Sequence, residues 1–181
     1  MQLTIIKHGK TDYNIAGKRQ GRTDLSLNEE GTKGVQELKE NVGDDFDFVI
    51  SSPLKRALET VQILFPNKDI TTNDLLIEYD FGELEGVEFS KPLTDFPNNE
   101  VEEYNGIKFL MPKSGESFEN VTKRCEDFLE SLKKDYKDSD KLAIVTHSTN
   151  LEILKALIEN KPWHTYLGQA KQFHGMIVAK I

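Results

Sequence analysis

The sequence predicts an α/β fold, a three-layer α/β/α domain with a mostly parallel central sheet. Two observations carry that prediction. Short apolar runs end at polar residues able to do chemistry, and amphipathic helical stripes separate those runs. Strand-type and helix-type segments in alternation imply a sheet covered by helices on both faces. At 181 residues the chain suits one such domain, spanning 1–181, and is short for two.

Residues 3–7 form a short apolar run that delivers His8 to the carboxyl end of a buried strand. Asn28, followed by Glu29 and Glu30, reads as a helix N-cap with acids in the first turn. Val35, Leu38 and Val42 continue that helix to about Gly43. Residues 46–51 read as a second strand closing on Ser51-Ser52-Pro53, and Leu54, Ala57, Val61 and Leu64 place a helix behind it. The clearest helix carries Phe118, Val121, Cys125, Phe128, Leu129 and Leu132 on one stripe, after Ser114-Gly115-Glu116-Ser117 as turn and cap. Residues 142–146 form a strand running into His147, residues 150–159 a helix, and residues 175–181 a last strand. Between 87 and 113 the periodicity fails around Pro92, Pro97, Asn98-Asn99 and Pro112. That stretch reads as an irregular surface excursion covering a substrate.

Lys and Arg number 23 against 31 Asp and Glu, a formal charge of −8. Nucleic-acid backbones need clustered positive charge, so they are not expected partners. A small phosphorylated metabolite remains a suitable partner, because a few converging cations overrule the net charge locally. No apolar run approaches the length of a membrane span, and the N-terminal run reads as a strand rather than a signal peptide. Cys125 is the only cysteine, which excludes an internal disulfide; its place on the helical stripe makes it a buried structural thiol, and a cytoplasmic location is expected.

Sites in layered α/β folds gather at the carboxyl ends of the strands, where His8 and His147 both fall. The run Lys7-His8-Gly9-Lys10-Thr11-Asp12-Tyr13-Asn14 resembles the signature of the histidine phosphatase, or phosphoglycerate mutase-like, superfamily. Further blocks resemble that family in the same order. They are Arg19-Gln20-Gly21-Arg22-Thr23-Asp24, Ser51-Ser52-Pro53-Leu54-Lys55-Arg56-Ala57, Glu78-Tyr79-Asp80-Phe81-Gly82, Gly115-Glu116-Ser117 and Val145-Thr146-His147. The resemblance, strongest to the small phosphatases, implies a phosphoglycerate mutase-like fold and phosphomonoester hydrolysis through a phosphohistidine on His8. It implies Arg56 and His147 around the phosphoryl group and Glu78 as the general acid, with Glu83 in reserve. Lys7, Gly9, Thr11, Asn14, Gln20, Gly21 and Ser148 match positions around the phosphate. No metal or cofactor is implied.

The residue types suit this chemistry. A neutral imidazole is a nucleophile, a guanidinium grips two phosphate oxygens, and a carboxylic acid protonates a leaving oxygen and then deprotonates water. Gly9 leaves room for phosphate to approach the backbone. Lys7, Arg56 and His147 supply donors and positive charge, and the helix after His147 turns its N–H groups toward the anion. The match departs from the family at Lys7 in place of Arg, at Lys10 in place of an acid, and at Ser148 in place of a Gly, which restricts the backbone there. A phosphoglycerate mutase-type transfer and a catalytically weakened phospho-ligand binder are the alternative readings. A P-loop is excluded, because Thr4 lies within the strand where that loop needs its first Gly. His164 and His174 receive no role.

Overall fold

A computed structural model describes residues 1–173 and 175–181, with only the backbone described for Lys171 and Phe173; His174 lies outside the described residues. In chain order the elements are β1 (Gln2–Lys7), α1 (Asp12–Ile15), α2 (Glu29–Val42), β2 (Phe48–Ser51), α3 (Lys55–Leu64) and β3 (Ile70–Thr72). There follow β4 (Val101–Tyr104), β5 (Ile107–Leu110), α4 (Phe118–Asp135), β6 (Lys141–Thr146), α5 (Ser148–Ile158) and β7 (Met176–Lys180), with short 3₁₀ turns between. The central sheet has the order β3-β2-β6-β1-β7. Its strands are parallel except β7, which runs antiparallel along β1 as an edge.

Alternate residues of the inner strands enter two separate cores. Leu3, Ile5, Ile50, Leu142 and Ile144 pack beneath α4 and α5, with Val121, Phe128, Leu151 and Leu154. Ile6, Val49, Ala143 and Val145 pack beneath α2 and α3, with Val35, Ala57, Val61 and Leu64. Burial on both faces is why these strands read as continuous apolar runs rather than alternating ones. Cys125 lies in the first core at 1% exposure, and burial pushes its thiol up to about 12, so it is an inert packing group.

The register brings the site together. Lys7 pairs with Thr146, and Ser51 with Val145, so β1, β2 and β6 end level with one another. His8 donates its N–H to Thr146 O at 2.9 Å, and Ser52 donates to Val145 O at 2.9 Å. His8, Ser52 and His147 therefore leave the sheet side by side.

The N-caps Asn28 and Ser117 accept from Gly31 N at 2.8 Å and Asn120 N at 3.1 Å. Helix α5 begins at Ser148, earlier than its apolar pattern predicts, because its first turn faces the site and carries no stripe. The stretch from 87 to 113 holds more order than its periodicity suggests. It contains a 3₁₀ turn and the β4–β5 hairpin, turned by Asn105 and Gly106 with φ of 54° and 78°. An Asn-Gly pair at positive φ is the favoured two-residue hairpin turn. Tyr104 and Phe109 pack edge-on against Phe118, and Asn105 Nδ2 donates to His164 O at 2.6 Å. The hairpin is thus fastened at its tip to the turn after α5.

The first turn of α2 lies directly against the chain that follows His8. A Cβ on Gly31 would meet Lys10 O at 2.0 Å, whereas one on Gly34 of the same helix would meet nothing within 4 Å. Gly31→Ala is expected to cost about 1–3 kcal/mol through backbone displacement. Gly34→Ala should gain about 0.5–1 kcal/mol through helix propensity. Thermal melts of the two variants should move in opposite directions.

Candidate active site

His8 is 7% exposed, and its Nδ1 lies 2.6 Å from Gly9 O. A carbonyl only accepts, so Nδ1 carries the ring proton and Nε2 holds the lone pair. That lone pair accepts the Arg56 Nε–H at 3.1 Å. Burial first, then the charges of Arg56 and Lys7, hold the His8 pKa well below its ordinary value, despite the opposing bond to Gly9. At neutral pH His8 is an uncharged imidazole of fixed tautomer.

The Arg56 side chain is itself buried. Its Nη1 donates to Thr23 O at 3.0 Å and its Nη2 to Gly21 O at 2.6 Å, so two backbone carbonyls aim the guanidinium at His8. Gly21 has φ of +56°, and a Cβ there would meet Glu85 Oε1 at 2.2 Å, which requires glycine twice over. The Glu85 carboxylate in turn accepts from the N–H groups of Arg22 at 2.7 Å and Thr23 at 2.8 Å.

The two histidine rings lie 5.0 Å apart, centroid to centroid. His147 Nε2 lies 2.7 Å from Ser52 Oγ, while its Nδ1 is buried without a hydrogen-bond partner. Burial, then Arg56, His8, Lys7 and Arg124, depress its pKa well below the ordinary value. His147 is therefore neutral in the free protein and offers a ring N–H rather than the positive charge expected from sequence.

Glu78, Asp80, Glu83 and Glu85 look alike in sequence; the structure separates them. Glu78 is 7% exposed and accepts Tyr79 N–H at 2.8 Å. Burial raises its pKa, outweighing the bond from Tyr79, the charge of Arg56 and the Thr149 N–H and hydroxyl on α5. Glu83 instead accepts from Lys113 N at 2.8 Å, Ser114 N at 3.0 Å, Ser114 Oγ at 2.8 Å and Asn99 Nδ2 at 2.8 Å. Desolvation raises its pKa, but the bonds from Lys113 and Ser114 outweigh that and bring it to about 2. These bonds fasten Glu83 to the loop at Lys113 and Ser114 and hold its carboxyl in the ionised form. Asp80 accepts from Gly82 N at 2.8 Å and faces Arg22 at 3.6 Å.

Lys7 closes β1 beside His8, and its charge reaches both histidines. Thr11 caps α1: its N–H donates to Asn14 Oδ1 at 3.0 Å, and its hydroxyl donates to Gln20 Oε1 at 2.6 Å. Thr11, Asn14 and Gln20 thus brace one another. Gly9 has a packing reason for lacking a side chain, since its Cβ would meet Val35 Cγ2 at 2.6 Å. Its N–H donates to Thr60 Oγ1 at 2.9 Å. Ser148 opens α5 without positive φ, so the backbone restriction expected there does not arise. Sequence reasoning gave no separate role to Ser52, Thr60, Glu85 or Asn150. Their partners across the site are distant in the chain, and the strand-end position of Ser52 is a local signal. Among the described residues no three His, Cys, Asp or Glu side chains are grouped to hold a metal ion, and no helix is long and apolar enough to cross a membrane.

Known proteins share this arrangement of chain. The model of the histidine phosphatase superfamily, branch 1, matches residues 3–172. The uncharacterized phosphatase PhoE of Bacillus subtilis is 31% identical over 155 residues, 84% of this chain and 74% of that protein. A metal-independent phosphoserine phosphatase of Arabidopsis thaliana is 31% identical over 153 residues, 81% of this chain and 63% of that protein. The crystal structure of the α-ribazole phosphatase of Shigella flexneri superposes with a TM-score of 0.76 at 27% identity, covering 90% of this chain and 82% of that one. With the fold phosphoglycerate mutase-like and the family model matched along nearly its whole length, the chain belongs to the histidine phosphatase superfamily.

Proposed function

We propose that the protein hydrolyses small phosphomonoester metabolites in the cytoplasm, through a phosphohistidine on His8 and without a metal ion or cofactor. The observation that carries this reading is the fixed tautomer of His8, whose Nε2 lone pair meets the buried Arg56 guanidinium. The His147 ring, 5.0 Å from that of His8 centroid to centroid, supports it as a second hydrogen-bonding group beside the phosphoryl oxygens. The name of the metal-independent Arabidopsis relative supports the chemistry without metal.

The phosphate enters by exchanging hydrogen bonds. A phosphoryl oxygen takes the Arg56 Nε–H from His8, which frees the lone pair. Nε2 attacks phosphorus in line, the bond to the ester oxygen breaks, and Glu78 gives that oxygen its proton. Nδ1 keeps its proton and donates it to Gly9 O, which steadies the charge the ring acquires. Arg56, Lys7 and the N–H of His147 hold the equatorial oxygens, with Thr11, Asn14, Gln20, Gly21 and Ser148 shaping the rim. The Glu78 carboxylate then takes a proton from water, whose oxygen attacks phosphorus and breaks the P–N bond.

The test is a labelled phosphomonoester given to purified protein in the presence of a chelator. Protein quenched in alkali should hold label that acid releases, His8→Ala should hold none, and the chelator should not slow turnover. Label on His8→Ala, or activity lost to the chelator and restored by a divalent ion, would overturn the reading.

A further inference from the structure

We infer that Glu116 is a positioning residue for proton transfer, holding Glu78 in place through Arg124. The inference rests on the reading of Glu78 as the acid. Glu116 and Arg124 form a two-pronged ion pair, Nε to Oε1 at 2.7 Å and Nη2 to Oε2 at 2.8 Å. The third guanidinium nitrogen, Nη1, donates to Leu75 O at 2.7 Å and Ile77 O at 2.9 Å. Asn150 Nδ2 from α5 donates to Leu76 O at 2.8 Å and Ile77 O at 3.0 Å. Consecutive carbonyls ahead of Glu78 are thus fixed by side chains from two helices, in a segment without strand pairing to hold them.

The other side of Glu78 is tied to the same residue. Glu116 N–H donates to Asp80 O at 2.9 Å. The acid therefore sits in a short loop bracketed by carbonyls, and both brackets end on Glu116, one through its backbone and one through its carboxylate. A looser third arm runs from Glu116 to Arg22 at 3.6 Å, between the residues whose carbonyls aim Arg56. The Glu116 side chain is 8% exposed and that of Arg124 18%, so water replaces this fork poorly. Without the carboxylate, the guanidinium loses the partner that orients Nη1, and Leu75 O and Ile77 O lose the donor it aims at them, leaving Asn150 alone on Leu76 O and Ile77 O.

Misplacing a reacting group by about 1 Å costs roughly a hundredfold in rate. Glu116→Gln is therefore expected to lower kcat for alkyl phosphates by about ten- to a hundredfold, with KM and nitrophenyl phosphate turnover little changed. Arg124→Lys, which keeps the charge and breaks the fork, should give the same pattern and carries the test if Glu116→Gln does not fold. In a Glu78→Gln background either change should add almost nothing, because a positioning residue has no effect once the group it positions is gone. Equal losses on both esters, or losses that multiply in the double variant, would overturn the inference while leaving Glu78 as the acid. If Glu78→Gln alone fails to distinguish the two esters, the acid assignment falls and this inference with it.

Discussion

Glu78→Gln should reduce turnover of alkyl phosphates by about a hundred- to ten-thousandfold, and of nitrophenyl phosphate far less. An alkoxide leaves only with a proton; nitrophenolate leaves without one. Burial raises the Glu78 pKa, so the acid form persists above the ordinary carboxylate range. For alkyl esters kcat/KM should fall as pH rises through that raised pKa, and Glu78→Gln should lack this limb. On the acid side His8, depressed by burial, Arg56 and Lys7, stays uncharged well below its usual pKa, so activity should persist into mildly acid solution. Stability follows the same signs. A carboxyl whose folded pKa is raised weighs against the fold as pH rises and it ionises, so Glu78→Gln should melt higher than the parent near neutral pH. Losses of equal size on the two esters would return the acid role to another residue.

Arg56→Lys should be nearly as damaging as Arg56→Ala, with kcat down by about a hundred- to a thousandfold. An ammonium keeps the charge but cannot donate to Gly21 O, Thr23 O and a phosphoryl oxygen from one rigid plane. The vacated carbonyls are a separate loss, about 1–3 kcal/mol for each buried group left unpaired. A lower melting temperature should therefore accompany the lower rate. The His8 pKa, followed by its ring proton resonances, should rise toward its ordinary value in Arg56→Ala as a depressing charge is removed. A lysine variant within a few-fold of the parent would show that the planar guanidinium is not what the reaction uses.

The inner strands and long helices were legible in sequence because their burial pattern is one of period and run. Residues of β1 and β6 are apolar on both faces, and α4 carries a stripe with its cap in front. Strand β3 and the β4–β5 hairpin were not legible, because they are short and largely exposed; Val101 is 44% and Ile107 39% exposed. Their pattern carries little hydrophobic contrast, and Asn105-Gly106 was the signal available. At the site, His8 and His147 could be placed because strand ends in parallel register converge. Choosing among Glu78, Asp80, Glu83 and Glu85 needs tertiary burial, which four neighbouring acids in a turn-rich segment do not reveal. The supports of the site, Thr60, Arg124 and Asn150, act by hydrogen bonds to Gly9 and to the carbonyls of residues 75–77 across long chain separations, which no local pattern reveals.

The pairing of β1 has a consequence for the order in which the molecule can be made. The strand that delivers His8 is flanked by β6 and β7, both from the last part of this sequence. As synthesis proceeds toward the C-terminus, His8 emerges long before β6 and β7, so the edges of its strand stay unsatisfied until residue 141 and beyond have emerged. Contacts of such long separation are slow to close, and apolar strands left waiting are prone to stray pairing. The apolar face of α2, and Asn28 that caps it, belong to the part of the chain that can fold locally in the meantime. The strand ends that gather His8, Ser52 and His147 therefore come together late, when the closing strands dock, and a growing chain carries His8 long before its neighbours exist.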